Sequence, residues 1–291
     1  MKRWLAAWVA VCALASPAAG AQATASAERS NAAVAAKVKE LKLKSTNALV
    51  IDQINKRVLY AKKEDQVVPI ASITKLMTAV VVLEAKLPLD ERIVIGREDY
   101  DRVKHQPSRL GAGTAMSRGD LLKIMLMASE NRAAAALGRN YPGGTAAFVA
   151  AMNQKALELG MSETRFVDSS GLSDENVSTA RDLAWLVDAA YRQPLIREYT
   201  TYPSQTVQFN KGRKIQYANS NQMVRYRHWD IGLSKTGYLD AAGRCLVMQA
   251  TIGATPVIIV LLHSWGKHTR IGDANRIKSW IESNSSRRPA G

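Results

Sequence analysis

Apolar residues fall into two kinds of run along this chain. Near the start, Ala48-Leu-Val-Ile-Asp52 and Arg57-Val-Leu-Tyr60 are short and β-rich. They flank Asn55-Lys56, so the pair predicts a hairpin. Ser72 then opens Ile73 to Ala85, which is apolar almost all round. That pattern predicts a buried central helix. Asp120 precedes a second helical run, Leu121 to Met127, and Arg132 to Leu137 is an Ala-rich third. Asn140 to Gly144 reads as a turn, and Phe148 to Leu159 as an amphipathic helix. Thr179-Ala-Arg-Asp182 resembles a capping box that opens a helix through Tyr191, stopped by Pro194. Beyond it the pattern changes to strands: Ser204 to Phe209, Ile231 to Lys235, Cys245 to Ile252 and Pro256 to Leu262. Ile277 to Ile281 closes the fold as a helix.

Strands at both ends with helices between them fit one sheet built from distant segments, covered by helices on both faces. The expected class is α/β (α+β). The middle of the chain forms a helical lobe, and a site is expected in the crevice between lobe and sheet. No internal repeat is visible.

The first 21 residues stand apart. Lys2 and Arg3 precede the apolar run Trp4 to Ala15, then Ser16-Pro17, and Ala19-Gly20-Ala21 reads as a cleavage site. This is the pattern of a secretory signal peptide; an N-terminal membrane anchor is the alternative. The apolar run is too short to span a bilayer as a helix, and no later segment is long enough. The expected organisation is a signal peptide over 1–21, a leader over 22–45, one catalytic domain over 46–283 and a tail over 284–291. Removing the signal leaves Cys245 as the one cysteine, so no internal disulfide is expected. That suits the periplasm of a bacterial envelope better than a small disulfide-stapled module.

The 291 residues are 47% apolar and 22% charged, ordinary for a globular protein, with a formal net charge of +15. The excess either steers the protein toward an anionic partner or is a solvated basic surface. Lys211 to Lys214 and Arg225 to His228 are its densest clusters. Neither has the interleaved aromatics of a single-strand platform, and nucleic acid does not suit an exported chain. The cell-wall polymer, whose peptides carry free carboxylates, suits it better. His105, His228, His263 and His268 show no metal-ligand spacing, so neither metal nor cofactor is expected. Cys245 reads as a small buried strand residue.

Three motifs occur in order: Ser72-Ile-Thr-Lys75, Ser129-Glu130-Asn131 and Lys235-Thr236-Gly237. Each alone is weak. Ser264-x-x-Lys267 and Ser45-x-Asn47 repeat two of them out of order. The ordered set resembles that of penicillin-binding proteins and class A β-lactamases. Flanking stretches extend the likeness over roughly residues 47 to 281: Pro69-Ile-Ala, Leu76-Met-Thr-Ala79, Gly160-Met161, Phe166, Gly171-Leu172, Ser178 to Asp182 and Asn219-Ser-Asn221. The chain resembles a low-molecular-mass penicillin-binding protein of the D-alanyl-D-alanine peptidase family, near its penicillin-binding protein 7 endopeptidases. The resemblance implies a central antiparallel sheet with helices on both faces and a helical lobe. Family carboxypeptidases commonly continue into a second β-rich domain. This sequence ends soon after its last helix, which favours the endopeptidase branch. Glu130 stands where carboxypeptidases often have Gly and β-lactamases Asp.

The chemistry explains the residue types. A serine hydroxyl needs a base to become a nucleophile, and residues three apart on a helix share a face, so Lys75 reaches Ser72. Burial and a neighbouring cation such as Lys235 favour a neutral amine. The likeness gives Ser129 a proton route to the leaving amine. It gives Asn131 a hold on substrate carbonyl or on Lys75, and Thr236 with Lys235 a hold on the carboxylate side. Gly237 leaves room for substrate at the strand edge. The oxyanion hole uses the backbone N–H groups of Ser72 and Tyr238. Arg270 aligns with a carboxylate-binding basic residue near the end of the last strand region; a surface arginine is the alternative. The implied activity is cleavage of D-alanyl crosslinks in peptidoglycan stem peptides, with β-lactam antibiotics as inhibitors. Carboxypeptidase, β-lactamase and idle wall-binding scaffold remain as rivals. A class A β-lactamase would need a deacylating glutamate, whereas Phe166 to Glu175 resembles the peptidase pattern.

Overall fold

Near-continuous apolar strands need cover on both faces of a sheet, and that need organises this molecule. The computed structural model describes residues 41–101, 108–208, 214–226 and 228–285. The signal peptide, residues 22–40 of the leader, His105, Phe209, half of the two basic clusters (211–213 and 227) and the end of the tail (286–291) lie outside the described residues.

In chain order the elements are β1 (Asn47–Asp52), β2 (Val58–Lys62) and β3 (Val68–Pro69), then a 3-10 turn, Ala71–Ile73, running into α1 (Thr74–Glu84). Next come β4 (Arg92–Val94), β5 (Ala115–Ser117), α2 (Arg118–Ala128), α3 (Asn131–Arg139) and α4 (Gly144–Glu158). β6 (Val177–Ser178), α5 (Ala180–Tyr191), α6 (Pro194–Thr201), β7 (Ser204–Gln208), β8 (Lys214–Ala218) and α7 (Gln222–Tyr226) follow. The chain finishes with β9 (Asp230–Leu239), β10 (Gly243–Ile252), β11 (Thr255–Ser264) and α8 (Thr269–Ser285).

The main sheet has five strands in the order β2-β1-β11-β10-β9, every neighbouring pair antiparallel. The expected hairpin is β1–β2, and the expected union of distant segments is β1 against β11. Leu49, Ile51, Val247, Ile258, Val260 and Leu262 join the main hydrophobic cluster. Alternating with them, Val50, Met248, Ile259 and Leu261 are also buried, and so face the other way. α5 packs on β1, β10 and β11, and α8 packs on β10 and β11. α8 contributes Ala274, Ile277 and Ile281, buried outside the main cluster. One cross-strand row runs Leu49, Val260, Val247, Lys235. Its last member therefore stands on the face that carries the main core.

The structure departs from the sequence reading at a few places. Pro194 stops α5 and also starts α6, where it occupies the first turn; a missing N–H costs nothing there. β9 runs on from Lys235 to Leu239. α8 starts at Thr269, well before Ile277. Asp273, one turn into it, is fully buried. Its carboxylate accepts from Ser45 N at 2.6 Å and Lys44 N at 3.0 Å, tying the entry to β1 down onto the last helix.

Candidate active site

Ser72 lies in the 3-10 turn between β3 and α1, and it caps neither element. Ile73 is the N-cap of α1 and makes no side-chain cap bond. The hydroxyl is thus left for Lys75, whose Nζ stands 2.8 Å from Ser72 Oγ. The turn is held in place from behind. Ala71 adopts φ +49°, a left-handed conformation, and Thr74 Oγ1 donates to Ala71 O at 2.8 Å. Gly171, at φ +77°, abuts the same carbonyl, and a Cβ there would lie 2.1 Å from Ala71 O. Only glycine fits that contact.

Lys75 is fully buried on α1. Besides Ser72 it meets Asn131 Oδ1 at 2.8 Å and the carbonyl of Ser170. Burial pulls its ammonium down to about 7, against the charges of Asp168 and Glu130, which raise it. Burial is therefore the main cause of the depression. The contact geometry also suits the neutral amine. Two N–H bonds serve Asn131 and Ser170, both acceptors there, and the lone pair is left for the Ser72 hydroxyl.

The second motif sits at a helix junction. Ser129 ends α2 in a left-handed conformation, φ +64°, which a non-glycine residue adopts at a cost of about 1–2 kcal/mol. Strain of this kind clusters at functional sites. Glu130 is the N-cap of α3 and accepts from Arg132 N. It also accepts from Ser108 Oγ at 2.6 Å, so this residue builds the junction. Asn131 follows as the first residue of α3, aimed back at Lys75.

The third motif forms the facing wall. Lys235 is 1% exposed on β9. Its Nζ donates to Ser129 Oγ at 2.9 Å and to Thr236 O at 2.8 Å. Burial, then the charges of Lys75 and Arg270, hold it well below the usual lysine value. Thr236 Oγ1 donates to Ser220 Oγ at 2.7 Å. Gly237 lies directly on the turn that carries Ser72: a Cβ there would sit 3.0 Å from Ile70 O and 3.1 Å from Ser72 N. The Tyr238 side chain is exposed, with its hydroxyl on Asp240. Arg270 comes from the first turn of α8, not from a strand end, and donates to Gly237 O at 3.2 Å. A cavity of about 420 Å³ opens beside Ser129, Glu130 and Asn131, bounded by Ser108, Arg109 and Tyr217.

The structure thus links Ser72, Lys75 and Asn131 through contacts to Ser129, Lys235, Thr236, Gly237 and Arg270, while Tyr238 follows on the same strand with its side chain turned to Asp240. It also supplies one that the motifs do not contain. Asp168 accepts from the N–H groups of Ser170 and Gly171, both at 2.6 Å, from Ser173 N at 2.8 Å and from Asn176 Nδ2 at 2.8 Å. Burial raises its carboxyl, but these donors outweigh it and hold it below the usual value. The loop so fixed carries the Ser170 carbonyl against Lys75 and Gly171 against Ala71. Glu175, at the end of this loop, is exposed and stands 3.6 Å from Arg165. The duplicate motif is inert: Ser264 is fully buried and bonded to Ser45 Oγ at 2.7 Å. Cys245 is also fully buried, its thiol pushed up to about 11 by burial.

A serine touching a buried, depressed lysine, faced by a second lysine on a sheet edge, defines a serine-acylating hydrolase site. The chain belongs to peptidase family S11, D-alanyl-D-alanine carboxypeptidase, whose pattern matches residues 32–265. It is 49% identical over 241 residues to a D-alanyl-D-alanine endopeptidase of Pseudomonas aeruginosa, covering 82% of this chain and 78% of that one. A D-alanyl-D-alanine endopeptidase of Escherichia coli is 44% identical over 251 residues, covering 86% and 81%. Among solved structures, the Streptomyces K15 DD-transpeptidase superposes with a TM-score of 0.79 at 27% identity, over 84% of this chain and all of that one.

Proposed function

We propose that this chain is a periplasmic serine D-alanyl-D-alanine endopeptidase that hydrolyses D-alanyl crosslinks of peptidoglycan and is acylated by penicillin. The carrying observation is the 2.8 Å contact between Ser72 and a lysine whose pKa is drawn to about 7. The two endopeptidase relatives favour crosslink cleavage, and the signal-like N-terminus favours the periplasm.

In this reading Lys75 takes the Ser72 proton as Oγ attacks the carbonyl carbon. The oxyanion forms against the backbone N–H groups of Ser72 and Tyr238; losing one such donor typically costs about 10²–10³-fold. Asn131 holds Lys75 in line. The carbon–nitrogen bond breaks, and the leaving amine receives a proton through Ser129, which Lys235 orients. Thr236, Lys235 and Arg270 engage the carboxylate beside the scissile bond. Water then attacks the ester, Lys75 takes its proton, and Ser72 is released protonated.

Digestion of purified crosslinked muropeptides tests the assignment. Dimers should fall to monomers with no release of free D-alanine. Free D-alanine from pentapeptide monomers, with dimers untouched, would make the chain a carboxypeptidase of the same family.

A further inference from the structure

Beside the first turn of α8 lies a second, smaller cavity of about 140 Å³, lined by Ser220, Arg225, Arg244, Lys267, His268 and Arg270 among others. Two of its walls belong to the catalytic strand's own contacts. Ser220 receives the Thr236 hydroxyl, and Arg270 donates to Gly237 O. The cavity therefore adjoins the strand edge at Thr236 and Gly237. Its volume is well below the roughly 300–1,000 Å³ of a whole-ligand pocket, and suits one side arm.

Its charge is unbalanced. None of Arg225, Arg244, Lys267 and Arg270 has a carboxylate within ion-pair distance among the described residues. Arg244 lies over the Tyr238 ring at 4.6 Å, and Asp240, the acid near it, takes the Tyr238 hydroxyl. Arg244 and Arg270 repel each other enough to lower the Arg270 guanidinium, whose burial is the larger cause. Like charges gathered on a cavity without counter-charges destabilise the free protein, and an anion entering the cavity relieves that repulsion.

One carboxylate accounts for Arg270 alone. A terminal D-alanine leaving group carries just one carboxylate. The leaving side of a crosslink is a diamino acid inside a second peptide, so it carries further carboxylates beyond the one nearest the scissile bond. We propose that Arg225, Arg244 and Lys267 form a subsite for a second carboxylate on the leaving strand of a crosslinked stem peptide. This rests on the endopeptidase reading and gives it a physical basis. The subsite selects substrates whose leaving group is a polyanionic peptide over those that release a single amino acid.

The test compares crosslinked muropeptide dimers with free carboxylates against the same dimers amidated at the carboxylate farther from the scissile bond. Arg225→Gln/Lys267→Gln changes two exposed side chains. It should raise KM about five- to tenfold for the free-carboxylate dimer, with kcat changed far less, as expected when a charge that binds substrate away from the reacting centre is removed. Its effect on the amidated dimer and on penicillin acylation should be at least fivefold smaller. Salt should weaken wild-type binding of the free dimer more than that of the amidated one. Binding of both dimers to Ser72→Ala separates this idea from the activity. If wild type leaves dimers uncut while Ser72→Ala binds them in an Arg225-, Lys267- and carboxylate-dependent way, the subsite stands and the endopeptidase reading falls. If dimers are cut and amidation and the double variant each shift KM less than twofold, the subsite is wrong.

Discussion

Two buried lysines face each other across the crevice, and their surroundings differ in a way that separates two kinds of work. Lys75 sits on a helix among fixed neutral acceptors, the Asn131 amide and the Ser170 carbonyl, with Asp168 and Glu130 near enough to pull its pKa up and burial strong enough to win. Lys235 sits on a strand, donating to the Ser129 hydroxyl and the Thr236 carbonyl, and its charged neighbours are the cations Lys75 and Arg270. The first pocket uses its polar groups to orient a lone pair. The second gathers cationic side chains, Lys235 and Arg270, beside the strand edge, although burial and their mutual repulsion work against the Lys235 charge. The proposed mechanism thus asks the same side chain to act as a base where carboxylates and fixed acceptors surround it, and as a substrate-facing wall where its neighbouring charges are cations.

The comparison collapses if the nucleophile is elsewhere, so Ser72→Ala has the largest expected effect. Penicillin labelling should vanish and turnover fall by on the order of 10⁴-fold or more; an adduct mapped by mass spectrometry to another serine would break the assignment. Lys75→Arg should cost about 10²–10⁴-fold in acylation, because a guanidinium keeps its charge and offers no lone pair. Near-normal acylation by that variant would remove Lys75 as the base.

The pH dependence sharpens the same point. Lys75 is active when neutral, so penicillin acylation should rise about tenfold per pH unit below about 7 and level off above it. A profile still climbing steeply at pH 9 would contradict the buried amine. The stability sign agrees. The unfolded lysine holds its proton up to its ordinary value of 10.5 and the folded one only to about 7, so this group's contribution grows between those limits as pH rises and is lost as pH falls through about 7.

Lys235→Arg should be milder than Lys75→Arg, roughly 10- to 100-fold, the loss of one charge-assisted hydrogen bond while the charge stays. Equal damage from both swaps would erase the distinction between base and wall. Arg270→Ala has the smallest expected effect. A partly buried contact at the rim of the crevice should cost roughly three- to tenfold in muropeptide kcat/KM, with penicillin acylation less affected. Equal, minor losses on both substrates would return Arg270 to the surface.

How much of the molecule is legible in its sequence follows from what each residue is doing. α1 and α5 and the two longest apolar strands are visible because burial on most or all sides leaves long apolar runs. The tips of those elements are not. Thr236, Gly237 and Tyr238 extend β9 although none is a strongly apolar strand residue, because their partners in β10, not their burial, keep them extended. β8 escapes the pattern because Lys214 and Gln216 point outward and only Tyr217 is fully buried. The reacting side chains are legible from their chemistry. Asp168 is not, since its work is done through backbone N–H groups of its own loop and leaves no spacing to recognise. Likeness points to Arg270 just past the last strand, whereas the start of α8 is hidden because Gly272 and the buried Asp273 interrupt its apolar period.

The strand order carries a consequence for when the crevice is completed. β1, the first strand made, pairs with β11, the last, so the five-stranded sheet whose edge carries Lys235 is joined only when that late pairing forms. Synthesis from the N-terminus completes the turn that carries Ser72 before the strand that confronts it. Long-range antiparallel closure is slow compared with forming local helices. The crevice is therefore finished late in folding, with the β10–β11 hairpin as the closing piece of its sheet.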